Sequence, residues 1–345
     1  MVRMMKKLIE ELYGLKISEI KPQGPVWKIN SQKGYLALKR MHCDSLKIKW
    51  LCSCLEALRK KGLCEDNPEH HAAVAPIIIN KKGLPFFEYD NKNYILTPWY
   101  TGKIPNFNSG EDLRKVALLY GKLHRHSTLI KQPGSNLKQL SKPLNQVILE
   151  KLNYLKETQK QLLNNSANLN RIDRAILKWS YFFIDRAEVC WDYIHNNIDR
   201  TWYNETSSQG FCHQDPAPGN IIVYKNKWIL IDFELASNEY FITELSTLMR
   251  RALQFNDWNP QIYELILAAY QTERQLNLQE IKLLIALLAF PHPFWRLCQQ
   301  RFNENLKWTE KHFQSKLWKI TSSQQAQTSF SKKFFPPIAD CQFLS

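Results

Sequence analysis

The sequence has no long hydrophobic run. Its apolar stretches, such as PIII at 76–79 and LLIALLAF at 283–290, are much shorter than the roughly 18 to 20 residues that cross a bilayer, so we expect no membrane span. The N-terminal stretch MVRMMKKLIEELYG mixes charged and apolar residues at helical spacing. It lacks an uninterrupted apolar segment and a small-residue cleavage site, so we expect no secretion signal and a protein that stays in the cell that makes it.

The sequence also lacks a C-x-x-C pair, although it contains 8 cysteines. Four of them lie between residues 43 and 64, near His42 and His71. Cys52 and Cys54 are two residues apart on a predicted helix, where side chains at that spacing diverge. Reduced, mostly buried thiols are therefore favoured over a disulfide or zinc site.

Apolar residues are abundant, since 44% of the 345 residues are hydrophobic and 12% are aromatic. This composition predicts a globular chain with one large domain or two of ordinary size. The formal net charge is +15, with much of the excess in residues 138–178 and 296–333. Such an excess favours an anionic partner, such as a nucleotide, nucleic acid, an acidic polymer or an anionic surface, and does not choose among them. A nucleic-acid partner is disfavoured because no recognisable reader motif accompanies the charge.

The first hundred residues combine strand patterns with one helix. The segments ISEIKPQGPVWKIN, GYLALKR and YILTPWY are typical of strands separated by polar turns. Residues 45–61 place apolar side chains on one helical stripe, and Gly62 stands where a helix end favours glycine. These patterns predict a small sheet with one helix across it, followed by a hinge near 97–102.

The rest of the chain is predominantly helical in pattern. Helices are predicted from about 109, over 143–164 and 171–198, and again from about 241 to 320. A loop and a hairpin interrupt them, with NIIVY and KWILIDF joined around Lys225 and Asn226.

We therefore predict an α+β, two-lobed chain. Residues 1–98 form a small N-terminal nucleotide-binding lobe with an antiparallel sheet. Residues 99–345 form a large, mainly helical C-terminal lobe for catalysis and substrate. Beyond about 321 the Ser-, Gln-, Lys- and Pro-rich composition predicts a loosely ordered tail.

The segment FCHQDPAPGNIIVYKNKWILIDFE, residues 211–234, carries closely spaced carboxylates and an amide beside predicted strands. Phosphoryl transfer from ATP needs a base for the attacking hydroxyl and oxygen ligands for a magnesium ion that bridges the phosphates. In the pattern H-x-D-x-x-x-x-N, Asp215 is the candidate base and Asn220 a candidate metal ligand. Asp232 follows at the end of the hairpin and supplies a further hard oxygen ligand.

This segment resembles the catalytic core of the protein-kinase-like superfamily, in its aminoglycoside phosphotransferase and choline kinase branch. The resemblance implies a kinase-like fold that binds ATP and Mg²⁺. It implies that His213 props the catalytic loop and that Asp215 acts as the catalytic base. Asn220, Asp232 and Glu234 are the implied metal ligands, and Glu234 stands where a protein kinase carries glycine.

The N-terminal lobe should then supply a lysine for the nucleotide phosphates. YLALKR ends in Lys39 on a predicted strand, which loosely matches the lysine pattern of the superfamily. Glu56 follows on the predicted helix, as the acid that holds this lysine. With Asn220 and Asp232, these residues form the expected nucleotide-binding set. The loop that covers the phosphates is poor in glycine, because KPQGPVWKIN offers only Gly24 between two prolines.

The pattern disfavours a protein kinase. Gln214 replaces the arginine that commonly precedes the catalytic aspartate, and no A-P-E segment follows Asp232. A peptide-docking activation loop has no room there, so we expect a small acceptor or one that reaches the site from outside. Glu244 stands in TELSTL, where relatives carry an aspartate that braces the catalytic loop.

Further motifs resemble the CotS-like group of spore coat proteins in spore-forming bacteria. They are LTPWYTGK at the hinge, VALLYGKLHRHS, FCHQDPAPGNII with IDFELA, and FPHPFWRLCQQRF. The resemblance covers roughly residues 8–320. It implies a place in the spore coat, where other coat proteins are candidate partners.

Two functional classes stay open. The first is an ATP- and Mg²⁺-dependent phosphotransferase that modifies a hydroxyl of a small molecule or glycan, and the complete set of candidate residues favours it. The second is a non-catalytic structural coat component that uses the fold as a scaffold. The glycine-poor loop and the basic excess favour the second class.

Overall fold

The computed structural model describes residues 2–67, 71–127, 142–304, 306 and 308–337. The helices in these residues are α1 Val2–Tyr13, α2 Ser45–Lys60, α3 Gly110–His126, α4 Leu144–Asn164, α5 Arg171–Asn197, α6 Phe241–Phe255, α7 Pro260–Gln271, α8 Leu278–Ala289, α9 His292–Phe302, α10 Glu310–Ser322 and α11 Gln324–Phe334. No single one of them has the length and apolar composition of a membrane span, and one bent pair, α8 with α9, meets those two criteria.

The strands in the described residues form three sheets. They are β1 Ile17–Gln23, β2 Val26–Ser31, β3 Gly34–Met41, β4 Ala72–Val74, β5 Phe87–Tyr89, β6 Lys92–Pro98, β7 Gln209–Cys212, β8 Ile221–Tyr224, β9 Lys227–Leu230 and β10 Ser237–Tyr240. The sheet orders are β1-β2-β3-β6-β5, β4-β9-β8 and β10-β7. The antiparallel first sheet and the mostly helical remainder confirm the predicted α+β fold class.

The five-stranded sheet buries one face against helix α1. Ile29, Leu38 and Leu96, from three of its strands, are fully buried together with Ile9 of α1. Because alternate side chains of a strand point to opposite faces, these residues form one apolar layer. The register Gln23↔Val26 leaves a turn of two residues between β1 and β2. The segment expected to cover nucleotide phosphates is thus a tight hairpin.

Helix α2 begins and ends within one residue of its predicted bounds. The Asp44 carboxylate accepts a hydrogen bond of 2.8 Å from the Lys47 N–H, which caps the helix start. Gly62 follows the helix with φ of 96°, a left-handed conformation that favours glycine. Trp50 packs on Phe211, with 5.5 Å between ring centroids. The helix is therefore fixed against the strand that precedes the candidate catalytic loop.

The predicted hairpin is formed by β8 and β9. Lys225 and Asn226 make the two-residue turn with φ of 48° and 62°, as a type I′ hairpin turn requires. Strand β4 pairs with β9 in parallel, so β9 has a partner on each side. The hairpin ends just before Asp232 and holds the start of that segment in place.

The chain divides into two compact units. The first, here called the sheet unit, consists of Met1–Leu140, Thr206–Glu244 and Leu265–Gln275. The second, the helical unit, consists of Ser141–Glu205, Leu245–Glu264 and Leu276–Ser345. Each unit contains segments that are distant in sequence. The predicted boundary at residue 98 divides the chain differently and stays a prediction.

The predicted loose tail from about 321 is wrong for residues 324–334, which form α11. Phe330 and Gln327 on this helix are buried, and the Gln327 amide donates to the Leu288 carbonyl at 3.3 Å. Fully buried Arg186 donates to the Ser331 hydroxyl at 2.7 Å. Polar side chains that hydrogen-bond inside the helical unit explain why a polar composition forms a packed helix here. Residues 338–345 of the predicted tail lie outside the described residues.

The seven cysteines among the described residues are free thiols, and five of them are buried. Burial raises the pKa of Cys52 and of Cys54 to about 12, and Glu56 adds to the shift at Cys52. Metal ligation uses the thiolate, so these protonated thiols are poor ligands. The structure thus agrees with the expectation of reduced, mostly buried thiols, whereas Cys341 lies outside the described residues.

Candidate active site

The candidate catalytic loop lies between β7 and β8. The Asn220 side-chain amide donates to Asp215 twice, to carboxylate Oδ2 at 2.8 Å and to the main-chain carbonyl at 3.1 Å. The spacing of five residues therefore closes a compact loop. With its N–H₂ group directed at Asp215, the amide oxygen of Asn220 stays available for another ligand.

Completely buried His213 connects this loop to the hairpin. Its ring nitrogen Nε2 contacts the Ile231 carbonyl at 2.8 Å, and the Asp215 N–H donates to Nδ1 at 3.2 Å. These partners fit the tautomer with the proton on Nε2. The contacts are those expected of a prop for the candidate catalytic loop, and they connect Asp215 to the segment that enters Asp232.

Lys39 lies at the convergence of residues that are far apart in sequence. Its ammonium forms ion pairs with the Asp232 carboxylate and, at 2.8 Å, with the Glu234 carboxylate. Glu234 also accepts a hydrogen bond of 2.6 Å from the His42 N–H, just beyond β3. Burial alone would lower the pKa of Lys39, but both carboxylates outweigh it, so that pKa lies above its ordinary value. Lys39 is therefore a fixed cation beside two acids.

Two non-glycine residues of the site have left-handed backbone conformations. Gln214 has φ of 69° and Asp232 has φ of 64°. Such conformations cost on the order of 1 to 3 kcal/mol and persist only where the surroundings impose them. Gln214 precedes the candidate base Asp215, and Asp232 is itself a candidate metal ligand. The unfavourable backbone conformations of Gln214 and Asp232 thus help to orient the side chains of the site.

The structure does not bring Glu56 to Lys39. Glu56 is exposed on α2 and accepts a hydrogen bond from the Cys52 thiol at 3.8 Å, whereas the ion pairs of Lys39 among the described residues are with Asp232 and Glu234. Helix α2 turns Leu51 and Leu55 towards the neighbouring cavity instead. The role predicted for Glu56 stays a prediction.

A cavity of about 220 Å³ adjoins Lys39. Its walls are mostly apolar, and its acidic and basic groups are those just described. The lining residues are Val26, Ala37, Lys39, Met41, Leu51, Leu55, Ala75, Ile77, Ile95, Thr97, Pro98, Trp99, Tyr100, Ile222, Ile231, Asp232, Phe233 and Glu234. The predicted hinge contributes the run from Thr97 to Tyr100. An apolar slot with charges at one end suits a flat ring attached to phosphates.

A buried network braces the candidate catalytic loop, and the sequence reasoning missed most of it. The Glu244 carboxylate accepts hydrogen bonds from the main-chain N–H groups of His213, at 3.1 Å, and Gln214. His124 Nε2 contacts the same carboxylate at 2.8 Å, and the Tyr270 hydroxyl lies 2.7 Å from His124 Nδ1. The longer glutamate thus makes the brace expected of an aspartate. The sequence did contain a signal for His124, since this residue lies on the apolar stripe of α3 that the structure buries.

The same network contains a group with metal-ligand chemistry. Ligand atoms of His124, Cys212 and Glu244 lie within 4.8 Å of one another. Burial, followed by the charge of Glu244, raises the pKa of the Cys212 thiol well above its ordinary value. A thiol held in its neutral form and a carboxylate already occupied by main-chain N–H groups favour a hydrogen-bonded brace over a metal site.

A second contact missed from the sequence borders the cavity. Tyr100 donates its hydroxyl proton to Glu65, which also pairs with Arg59. The Arg59 guanidinium donates to the Val74 carbonyl at 3.0 Å. Burial, with Glu65 adding, raises the pKa of Tyr100 above its ordinary value, so the hydroxyl remains a donor. These residues fix the end of α2 to the hinge.

The oxygen donors of Asp232, Glu234 and Asn220 have the chemistry that a hard divalent cation prefers. Asp232 and Glu234 supply carboxylates within contact of one ammonium, and Asn220 supplies an amide oxygen next to Asp215. Carboxylate and amide oxygens are the ligands that Mg²⁺ and Ca²⁺ prefer. The donor chemistry therefore agrees with the metal expected from the sequence.

An antiparallel N-terminal sheet followed by a mostly helical region is the kinase-like fold, and solved structures of that class resemble this chain. A family model described as the phosphotransferase enzyme family (APH) matches residues 87–281. That match covers more than half of the chain. The chain belongs to the phosphotransferase enzyme family.

Individual relatives agree with this assignment. Spore coat protein S of Bacillus subtilis (strain 168) is 22% identical over 317 residues, which cover 89% of this chain and 86% of that protein. The predicted resemblance to spore coat proteins of the phosphotransferase branch is thereby confirmed.

Solved structures show the shared fold. An aminoglycoside phosphotransferase from Alicyclobacillus acidocaldarius is 18% identical, with a TM-score of 0.79 and 96% coverage of each chain. The amicoumacin kinase hAmiN, solved with AMP-PNP, Ca²⁺ and Ami, is 13% identical, with a TM-score of 0.59 and coverage of 99% of this chain and 95% of that chain. At these identities the likeness concerns the fold alone.

Proposed function

We propose that the protein transfers the γ-phosphoryl group of ATP to a hydroxyl of a small molecule or glycan, with Mg²⁺. The observation that carries the proposal is the convergence of Lys39, Asp232 and Glu234 at one end of an apolar cavity. The Asp215–Asn220 pair supplies the second half of such a site. Membership in the phosphotransferase family supports this function.

The cavity is the proposed nucleotide site. Apolar side chains such as Val26, Ala37 and Ile231 would contact the base on both faces. Lys39 would contact the phosphates, because it is the basic residue that lines this cavity. Family relatives that are solved with nucleotide and metal, such as hAmiN with AMP-PNP and Ca²⁺, support this use of the fold.

Asn220, Asp232 and Glu234 would hold the metal ion. Bound there, Mg²⁺ would neutralise phosphate charge. The contacts of this chain suggest how the acids are kept ready: Lys39 holds Asp232 and Glu234 together, and the His42 N–H fixes Glu234 further.

Asp215 is the proposed base. The acceptor hydroxyl oxygen forms a bond to the γ-phosphorus as the bond from that phosphorus to the β–γ bridging oxygen breaks, and Asp215 takes the hydroxyl proton while ADP leaves. Asn220 and His213 position Asp215 from its carboxylate side and its main-chain side, respectively. Their role is to orient the base, which is the main protein contribution to phosphoryl transfer.

The spore coat is the proposed location, with other coat proteins as partners. The support is the similarity to Spore coat protein S over most of both chains. The acceptor would then be a component that is present during coat assembly, such as a coat glycan or a small metabolite.

A second candidate function is a scaffold in the coat without catalysis. The two-residue turn between β1 and β2, Gly24 and Pro25, favours it, because this hairpin offers no glycine-rich loop for the phosphates. A scaffold would keep the fold and would not need a nucleotide.

Incubation of the purified protein with radiolabelled ATP, Mg²⁺ and fractionated spore-extract metabolites and glycans tests the choice. The phosphotransferase proposal predicts label on a specific fraction with wild-type protein and at least about 100-fold less label with Asp215→Asn. Nucleotide binding without transfer to any fraction would favour a binding role. Absence of both activities in a folded protein would favour the scaffold.

A further inference from the structure

A second cavity, of about 130 Å³, lies in the sheet unit between helix α3 and the strands β4 and β9. We call it the α3 cavity. It shares no lining residue with the cavity beside Lys39. One water molecule needs about 10 to 15 Å³ of such space. The α3 cavity is therefore large enough for a small organic molecule, and the nucleotide proposed above does not occupy it.

One stripe of α3 forms the first wall of the α3 cavity. Its residues follow the spacing i, i+3, i+4 and i+7, which places side chains on one face of a helix. They are Lys115, Leu118, Leu119 and Lys122. The two lysines are seven positions apart, which is about 10 Å along the helix axis. The wall is thus apolar in the middle and cationic at its ends.

The Lys122 end already has an acid. The Glu273 carboxylate lines the α3 cavity and lies 3.8 Å from the Lys122 ammonium and 3.2 Å from the Arg125 guanidinium. Gly121 permits this close packing, because a Cβ there would come within 2.9 Å of the Glu273 Cβ. Glu273 is therefore held between two cations at its own end of the stripe.

The Lys115 end has no such acid. The half-buried Lys115 side chain makes no hydrogen bond or ion pair with any residue that the structure describes. The acids one turn earlier on α3 do not pair with it: Asp112 accepts from the Asn106 N–H at 2.8 Å, and Glu111 is exposed. An ammonium that lines a cavity without a counter-charge favours an anionic group in that cavity.

The opposite wall supplies an aromatic ring and polar atoms. Trp228 of β9 lines the α3 cavity beside Ala72, its partner in the parallel pair with β4. Within the described part of the chain, the Trp228 indole N–H has no acceptor. His71 Nδ1 lies 3.2 Å from the Asn226 carbonyl, which fits a proton on Nδ1 and leaves Nε2 available. His71 is exposed, so the α3 cavity is open to solvent at this residue.

We propose that the α3 cavity binds a small aromatic carboxylic acid, with its carboxylate at Lys115 and its ring against Trp228 and Leu118. The carboxylate supplies the charge that Lys115 lacks. The ring suits the apolar middle of the α3 cavity, because aromatic and aliphatic side chains bury flat apolar groups. Glu273 disfavours a ligand with a second negative group at the other end. This binding site is separate from the proposed nucleotide cavity and does not depend on phosphoryl transfer.

Fluorine NMR titration of the full-length protein with 4-fluorobenzoate and 4-fluorobenzamide tests this site, because the amide has the same ring without the charge. We expect saturable benzoate binding with a Kd on the order of 1 mM or tighter, as a ligand of this size allows. The benzamide should bind at least about tenfold more weakly, because it lacks the charge-assisted contact. Equal binding of both compounds, or no saturable benzoate binding below about 10 mM, overturns the proposal.

Variants locate the binding. Lys115→Gln should weaken benzoate binding about tenfold, and Lys115→Arg should keep it within about threefold because it retains the cation. Leu118→Trp should weaken binding about tenfold as well, because it fills the α3 cavity and leaves both lysines in place.

Arg114→Gln is the matched control, since it removes one exposed cation from the same helix, and it should leave the benzoate affinity within about twofold. Circular dichroism establishes which variants are folded. If Leu118→Trp does not fold, Lys115→Gln alone decides. Benzoate affinity that is unchanged in the folded variants other than Arg114→Gln and Lys115→Arg overturns the proposal.

Discussion

The sheet unit and the helical unit differ in the kind of partner that their charged side chains contact. In the sheet unit, Lys39 contacts two carboxylates, and Glu244 accepts bonds from His124 and two main-chain N–H groups. In the helical unit, the fully buried Arg186 guanidinium donates to neutral oxygens, those of the Ala289 carbonyl and of the Thr328 and Ser331 hydroxyls. Partners of opposite charge thus fix the ionic groups of the candidate site, whereas neutral hydrogen-bond acceptors hold a buried cation inside the packed helices.

The comparison separates preorganisation from packing. In the proposed phosphotransferase, the paired groups of the sheet unit hold the catalytic geometry before any ligand arrives, which is what phosphoryl transfer needs from a protein. The Arg186 contacts join α5 to α11 and contribute to the stability of the helical unit. Substitutions in the two units should therefore differ in kind as well as in size.

The largest effect is expected at Asp215. Asp215→Asn should reduce transfer by about 10² to 10⁴, the usual contribution of a general base, and leave AMP-PNP affinity within about threefold. Rates of label transfer and calorimetry on the same sample measure the two quantities. Asp90→Asn, an exposed turn aspartate, is the control. An equal loss of binding and transfer would show that Asp215 is not the base.

Removal of a large buried side chain should destabilise the helical unit. Phe330→Ala on α11 should lower the free energy of unfolding by about 3 to 5 kcal/mol, because it opens a cavity at a buried aromatic ring. Urea unfolding followed by circular dichroism measures it, with exposed Lys332→Ala on the same helix as the control. A loss below about 1 kcal/mol would mean that α11 is not packed.

The brace in the sheet unit should have an intermediate effect. Glu244→Gln should lower the free energy of unfolding by about 1 to 3 kcal/mol. The side-chain amide would place its own N–H donors against the three donor groups that contact the carboxylate. Glu188→Gln, which removes a surface partner of Lys156, should cost no more than about 1 kcal/mol. Similar unfolding midpoints for the two variants would remove the distinction between a buried brace and a surface pair.

The smallest effect should be at Glu56. Glu56→Gln should change the affinity for AMP-PNP and Mg²⁺ by less than about twofold, because in this structure the acids at Lys39 are Asp232 and Glu234. Glu234→Gln should weaken it by about tenfold, through loss of a charge-assisted contact. The reverse order would restore the helix glutamate to the role predicted from the sequence.

Local sequence patterns predicted much of the fold. Strand-like runs separated by polar turns predicted the first sheet, and the helical stripe ending before Gly62 predicted α2. The run ISEIKPQGPVWKIN, predicted as one strand, instead forms the β1–β2 hairpin. The hairpin turn at Lys225 and Asn226 follows from the polar dipeptide between two apolar runs. The sequence spacing also predicted that Asn220 returns to Asp215, and the two side chains form a direct hydrogen bond.

Local sequence patterns could not predict contacts between segments that are distant in the chain. His124 meets Tyr270 across 146 positions, and no periodicity reports that contact. The pairing of Lys39 with Glu234 depends on how β3 and the hairpin pack, which sequence spacing does not report, and the role predicted for Glu56 stays a prediction. Composition also failed for α11, since the buried Gln324 amide donates to Gln327 and the buried Ser331 hydroxyl accepts from Arg186.

Titration of AMP-PNP into the protein, with and without Mg²⁺, tests the central claim most directly. We predict saturable, Mg²⁺-dependent binding to the wild-type protein and a loss of at least about tenfold in Asp232→Asn, with Asp90→Asn unchanged. Absence of binding to folded wild-type protein, or equal binding to Asp232→Asn, would contradict it.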